Sequence, residues 1–387
     1  MSFVSMIVRW SIFGLVCGSG LISDLAAQQP SLESVVTDVR AAVSQDWQRG
    51  WIQLFDRTTT FGWRGINPSS IKDGKFELRA GDAPRTSAQF GGFALHLRYQ
   101  LDPGGQAELR LLANPEGRAA NVDHLSLPLK PEYPQLVVQV EPPAPSQSNS
   151  TIRFLFLNAT GQADTEPQQV EVALGRGYLG FRVAAGTLLV EQISVLPLLP
   201  TSEQFKSLTA GAGFDSSGLA NARAEMNAEG LALRGGPGYL ATTASFGDFI
   251  LSVEARTQAG TNSGVFFRCI PGENLNGYES QIHNGFVEND RSRPEDCGTG
   301  GIFRRVDARR VVADNGQWFR KVMVVCGGQI SVWVNGYQVT DWSDQRQPHE
   351  NPRRGRRLEA GPIMLQAHDP GTQVDFRNFQ ISELPAR

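Results

Sequence analysis

Phe246-Gly247-Asp248-Phe249-Ile250-Leu251-Ser252-Val253 rewrites, far along the chain, the earlier Phe90-Gly91-Gly92-Phe93-Ala94-Leu95-His96-Leu97. In both copies a Phe-Gly turn enters a strand-like run of apolar residues. The match extends outward at a nearly constant offset. Phe76-Glu77-Leu78-Arg79 answers Leu231-Ala232-Leu233-Arg234, Asn114-Pro115-Glu116-Gly117 answers Ile270-Pro271-Gly272-Glu273, and Leu188 to Leu196 echoes Phe376 to Leu384. A repeat this long exceeds solenoid units, so each copy is expected to be a domain of its own. Short alternating runs divided by Gly, Pro, Asn and Asp predict two packed antiparallel sheets per copy, an all-β chain. The first domain is expected over 50–199 and the second over 213–385, joined near Pro200 to Gly213.

Whole-chain properties agree. The 387 residues suit two domains, each able to bury a core, and 41 Gly and 22 Pro suit tight turns more than long helices. The net charge of -3 carries no field that would favour nucleic acid or an anionic membrane. Residues 1–27 read as a secretory signal peptide: Arg9 precedes the apolar Trp10 to Leu25, and Ala26 and Ala27 follow. A periplasmic or secreted protein follows, with no stable membrane span once the signal is removed. A retained anchor is the rival reading, but Gly14, Gly18, Gly20 and Asp24 interrupt a stretch already short for about 30 Å of hydrocarbon. Over 31–48, Leu32, Val35, Val36, Val39, Val43 and Trp47 recur at helical spacing behind a Ser31 cap, which predicts one short amphipathic helix.

The chemistry is expected in the second domain. In an extended Tyr278-Glu279-Ser280-Gln281-Ile282-His283, side chains alternate, so Glu279, Gln281 and His283 share one face. That face carries a carboxylate, an amide and an imidazole where a structural strand would be apolar or plainly solvated. A solvated outer face is the bland alternative. Gln366 and His368 likewise share a face of a second strand, and Asn262 and Arg268 bracket a third. At the repeat offset Arg268 faces Leu112, Glu279 faces Asp123, Gln281 faces Leu125 and His283 faces Leu127, so the first copy lacks most of this set and is read as a docking, sugar-binding or structural partner.

Glu279 or His283 is the candidate base, with Asn262, Arg268, Gln281, Arg305, Gln366 and His368 as substrate-binding candidates. Glu279, His283 and His368 are also candidate ligands for a divalent cation, although no HExxH or paired-His motif is present. The arginines of Arg353-Arg354-Gly355-Arg356-Arg357 read as plain surface. Trp333 precedes the Asn335-Gly336 hairpin turn and either stacks on a sugar or packs in the core. Cys269, Cys297 and Cys326 are an odd set. Either Cys269 and Cys297 form a disulfide stapling the loop between them, or all three are buried reduced thiols.

These motifs resemble the family of 3-keto-disaccharide hydrolases, 3-keto-glucoside 1,2-lyase/hydratase domains. The resemblance rests on Asn262-Ser263-Gly264-Val265-Phe266-Phe267-Arg268, Gly277-Tyr278-Glu279-Ser280-Gln281-Ile282, Thr299-Gly300-Gly301-Ile302, Val332-Trp333-Val334-Asn335-Gly336, Gly361-Pro362-Ile363-Met364-Leu365-Gln366-Ala367-His368 and Phe376-Arg377-Asn378. Leu54-Phe55-Asp56-Arg57-Thr58-Thr59-Thr60-Phe61-Gly62-Trp63 resembles the family's opening, although it stands before the first copy. The resemblance covers about 214 to 384 closely. It implies concanavalin A-like jelly rolls, a carbohydrate ligand and cleavage of glycosides already oxidised at C3, by removal of the C2 proton, loss of the aglycone and hydration. The alternative is a non-catalytic carbohydrate-binding or cell-surface structural protein.

Overall fold

The computed structural model describes residues 31–41, 46–113, 124–142, 149–163, 165–199 and 213–385. The expected signal peptide and the join between the domains lie outside them. Strands dominate, and they form two antiparallel sandwiches of identical strand order. In the second sandwich the larger sheet runs Ala222–Asn227, Gly230–Gly235, Gln373–Glu383, Phe249–Thr257, Phe319–Cys326, Gln329–Val334, Tyr337–Ser343. In the first, Ile71–Lys72, Lys75–Arg79, Thr187–Pro197, Phe93–Leu101, Gln135–Glu141, Ser150–Leu157 and Gln168–Val172 occupy the same places, with Ile52–Gln53 added beside Thr187–Pro197. The smaller sheets also match: Trp63–Arg64, Arg85–Thr86, Tyr178–Ala185, Gln106–Ala113, Leu125–Pro128 against Phe214–Asp215, Gly238–Phe246, Gly361–Ala367, Ser263–Phe267, Tyr278–Ile282.

A local signature confirms the repeat. Leu112, near the end of its strand, and Arg268, just past the end of its own, both have left-handed backbone, at φ 54° and 49°. Each is pressed by a glycine on the neighbouring strand: a Cβ on Gly177 would lie 2.2 Å from the Leu112 carbonyl carbon, and one on Gly361 would lie 2.0 Å from Cys269 O. The offset breaks just beyond this point. Phe266 pairs with Glu279 and Gly264 with Gln281, whereas the equivalent Arg110 and Glu108 pair with Ser126 and Pro128. Ser126 and Pro128, rather than Asp123 and Leu125, therefore stand where the second copy has Glu279 and Gln281. The connection between these two strands is longer in the first copy, which shifts the sequence offset without shifting the strands.

The second core lies between its sheets, filled by Phe249, Leu251, Val253, Val265, Phe267, Met323, Val325 and Leu365. The larger sheet is also buried on its other face. Ile250, Val322, Val324, Cys326 and Trp333 join the first sandwich's core, with the Trp333 and Phe90 ring centroids 6.4 Å apart. Trp333 is a core residue and offers no sugar platform; its Nε1 donates to Gln53 O at 2.9 Å, while Gln53 N donates to Gly336 O at 2.8 Å. Asn335 and Gly336 take φ 49° and 76°, the left-handed pair that a two-residue hairpin turn needs. Polar clamps rim the contact: Arg64 on Asp341 at 2.7 Å, Arg309 on Asp56 at 2.8 Å and Arg176 on Asp248 at 2.8 Å.

The helix is shorter than its sequence period suggests. It spans Leu32–Arg40, with Ser31 Oγ accepting from Ser34 N at 3.2 Å, and buries Leu32, Val35, Val36 and Val39 against Trp51, Ala94, Val137 and Leu155. Residues 42–45 lie outside the described residues, and Trp47 belongs to a separate turn of 3-10 helix, Trp47–Arg49. Trp333→Ala should cost about 3–5 kcal/mol of stability, since it empties the contact between the sandwiches. Urea unfolding followed by intrinsic fluorescence checks this; a loss under about 1 kcal/mol would mean that the two cores are independent.

Candidate functional site

The first sandwich covers the larger sheet of the second, so the smaller sheet's outer face is the one left for a ligand. There Tyr278–Ile282 alternates as expected. Tyr278, Ser280 and Ile282 are buried toward the core, with the Tyr278 ring stacked on Phe267 at 5.4 Å. Glu279 and Gln281 point outward. Glu279 lies across Gly264 of the neighbouring strand, where an added Cβ would come within 2.7 Å of Glu279 Oε1. The small residue in Asn262-Ser263-Gly264 makes room for the carboxylate.

Glu279 sits in a cavity of about 440 Å³. Asn262, Gln281, Asp296, Gln366 and His368 line its polar part; Phe266, Leu275, Ile302, Phe303, Pro352, Arg304, Arg305 and Arg353 line the remainder. The polar groups are held from behind. Gln281 Oε1 accepts from Ile282 N at 2.8 Å and its Nε2 donates to Asp296 Oδ2 at 3.1 Å, a carboxylate oxygen that Asn262 Nδ2 also reaches. Among the described residues Asn262 Oδ1 and Gln366 Oε1 are buried without a hydrogen-bond partner, which leaves two acceptors ready for hydroxyl donors. His368 Nδ1 meets Asp369 Oδ2 at 2.7 Å, which leaves Nε2 available.

Burial pushes the Glu279 carboxyl up to about 7; Asp296 adds to the rise, while Lys321, His368 and Arg353 pull it back. Lys321 is fully buried beneath the same strand. It projects from the larger sheet across the core, and its Nζ donates to Ser280 O at 2.7 Å and Gln281 O at 3.1 Å. Burial lowers this ammonium to about 7, against the pull of Glu279.

Two sequence candidates fall elsewhere. Arg268 is buried in a structural knot, donating to Gly247 O, Gly327 O and Arg357 O and pairing with Asp248 at 2.8 Å. Its backbone is left-handed at φ 49°, just past the end of Ser263–Phe267. His283 lies past the end of the strand and outside the cavity lining, with its Nδ1 accepting from Gly285 N at 3.2 Å. Glu279, His283 and His368 therefore do not converge as metal ligands. Among the described residues no three His, Cys, Asp or Glu side chains form a group fit to hold an ion. Cys269 and Cys297 are not bridged to each other; both are buried, as is Cys326, and none of the three is in a disulfide. Cys297 Sγ donates to Val306 O at 3.2 Å, on the segment that follows it rather than in the loop it was expected to staple.

Four lining or supporting residues were not singled out as site residues from sequence. Lys321 had a signal: it shares the inward phase of Phe319, Met323 and Val325, a cation in an apolar register. Arg353, read as plain surface, reaches the cavity by folding back onto Leu275 O at 2.8 Å. Asp296 and Arg304 sit on loop backbone at φ 44° and 57°, where no periodicity predicts side-chain direction.

A double β-sandwich with a polar cavity on an exposed sheet face thus defines the class. Residues 211–382, which hold that cavity, match the family model of the 3-keto-alpha-glucoside-1,2-lyase-like domain. Similar solved structures include a "Putative glycosyl hydrolase" from Parabacteroides distasonis, at 23% identity over 44% of this chain and 99% of that one, with a TM-score of 0.34. Another is the carbohydrate-binding module CBM66 from Bacillus subtilis, at 14% identity over 44% of this chain and 96% of that one, TM-score 0.33. No curated protein matches the chain.

The two shifted groups make stability depend on pH. Folded Glu279 holds its proton from its ordinary 4.5 up to about 7, so it withdraws stability as pH rises through that window. Lys321 penalises the fold at neutral pH and is relieved as pH rises from about 7 toward 10.5. Glu279→Gln should therefore raise the thermal midpoint, relative to the parent, more at pH 8 than at pH 5. Scanning fluorimetry across pH checks it, and equal shifts at both ends would show that Glu279 carries no burial penalty.

Proposed function

We propose that the second sandwich cleaves 3-keto-glycosides by elimination and hydration, with Glu279 as the base. The observation that supports this most is a carboxyl raised to about 7 on the floor of a sugar-sized cavity, between unpartnered amide oxygens and an Asp-oriented imidazole. A ketone at C3 acidifies the C2 proton, and a base whose own value lies near neutrality is matched to removing it. The sugar ring lies at the amide end, with Asn262, Gln281 and Gln366 on its hydroxyls. In its protonated form His368, whose Nδ1 donates to Asp369, donates from Nε2 to the enolate oxygen as charge develops there.

In this reaction Glu279 accepts the C2 proton, the C1 to aglycone bond breaks, and the same carboxyl returns the proton to the departing oxygen. Water then adds across the C1=C2 bond of the resulting enone, which gives the free 3-keto sugar. Lys321 is a positioning residue. It fixes the Ser280 and Gln281 carbonyls, next along the strand from Glu279, and draws Glu279 back toward ionisation.

Turnover of a chromogenic 3-keto-α-glucoside by the full chain tests the reading. kcat/KM should rise with pH through about 7 as Glu279 ionises. Glu279→Gln should lower kcat by about 10²–10⁴-fold with little change in substrate Kd. Lys321→Met should move the rising limb to higher pH, because the cation that favours the carboxylate is gone. Absence of turnover, with unoxidised glycosides still bound, would move the protein to a carbohydrate-binding role.

A further inference from the structure

The cavity has two chemically different ends, and the reaction above uses one of them. Strand register orders the ends. Ser263 pairs with Ile282, Phe266 with Glu279 and Phe267 with Tyr278, so Asn262 and Gln281 lie to one side of Glu279 and Leu275 to the other. The loop that follows runs alongside: Gln281 N donates to Gly301 O, and Phe303 N to Glu279 O. Arg304 and Arg305 continue past Glu279 toward the Leu275 end. Arg353 is tied to that end, its Nη2 donating to Leu275 O at 2.8 Å, and Arg305 Nη2 donates to Arg353 O at 2.9 Å.

Three guanidinium groups therefore gather there beside Phe303 and Leu275. Among the described residues the Arg305 and Arg353 guanidinium groups donate to main-chain carbonyls, Arg304 makes no side-chain hydrogen bond, and none of the three forms an ion pair. Neighbouring arginines are unlike them: Arg346 grips Asp344 through two bonds of 2.9 and 2.7 Å, and Arg268 holds Asp248. Like charges gathered at one end of a cavity repel one another, and an anion placed among them relieves that repulsion. A guanidinium fork fits a carboxylate in particular.

Resting on the elimination reaction above, we propose that this end binds a carboxylate on the leaving group, so that the substrate is a 3-keto-glycoside with an acidic aglycone. With the sugar at the amide end and C2 over Glu279, the bond at C1 points toward the arginines. The body of the aglycone lies against Phe303 and Leu275, and its carboxylate meets Arg304, Arg305 and Arg353. The cavity of about 440 Å³ falls within the roughly 300–1,000 Å³ of small-molecule sites, room for a sugar and a group of similar size.

The test compares the 3-keto-α-glucosides of 4-hydroxybenzoate and of its methyl ester, which differ by one negative charge. The full chain is measured beside Arg304→Gln and an Arg304→Gln/Arg353→Gln double variant. Arg304 makes no side-chain hydrogen bond among the described residues and stacks on Phe303 at 5.1 Å, so its single variant keeps the fold. The ratio of kcat/KM, acid over ester, should fall by about tenfold or more in the double variant and decline with added salt in the parent. A ratio that neither substitution nor salt changes overturns the acidic subsite and leaves the elimination reading standing. If neither substrate turns over, the elimination reading fails. Calorimetry with the unoxidised glucosides of the same acid and ester then decides the subsite alone: tighter binding of the acid, lost in the double variant, supports it, and equal binding overturns it.

Discussion

Strands Phe249–Thr257 and Phe319–Cys326, central in the larger sheet of the second sandwich, are buried on both faces, and the rest of the molecule is arranged around that burial. Alternate residues of Phe249–Thr257 and Phe319–Cys326 fill the domain's own core, while Ile250, Val322 and Val324 enter the core of the first sandwich. A sheet with no wet face reads as a nearly continuous apolar run, which is how both strands are written. The polar groups on its outer side are paired for the same reason. Glu254 accepts from Arg320, Arg377 and Asn378, since an unpaired carboxylate there would cost more than the contact returns.

That burial places the site. With the larger sheet covered, the smaller sheet keeps the accessible face, and its polar residues gather in one cavity. It also sets the site's electrostatics. Lys321 lies on the larger sheet but spends its charge on carbonyls of the smaller one, so a cation in the core governs a carboxylate on the surface. The Asp56–Arg309 pair ties the loop carrying Arg304 and Arg305 to the first sandwich. The first copy thus bears on the cavity's shape without lining it.

The two copies show how one topology serves two ends. Where the second has Glu279 and Gln281, the first has Ser126 and Pro128, and where the second has Phe266 the first has Arg110, paired with Glu108 at 2.8 Å. Strand order and the left-handed residue at Leu112 and Arg268 persist because packing and backbone geometry demand them in both. Side chains on the outer face answer to no core and are free to diverge.

The sequence by itself determined the all-β class, the repeat and the face shared by Glu279 and Gln281, because strand periodicity and turn residues are local properties. It also paired Gln366 with His368, again through alternation along one strand. Periodicity failed where the backbone stops alternating. Arg268 turns away at a left-handed residue, His283 lies past the strand end, and Asp296, Arg304 and Arg353 reach the cavity from loops. Cys269 and Cys297 flank one loop, which suggested a staple, yet each thiol is buried without a bridge. Only the tertiary structure decided that Trp333 is a core residue, that Lys321 stands under the site and that the first sandwich leaves the cavity open, since each depends on contacts between residues far apart in the chain.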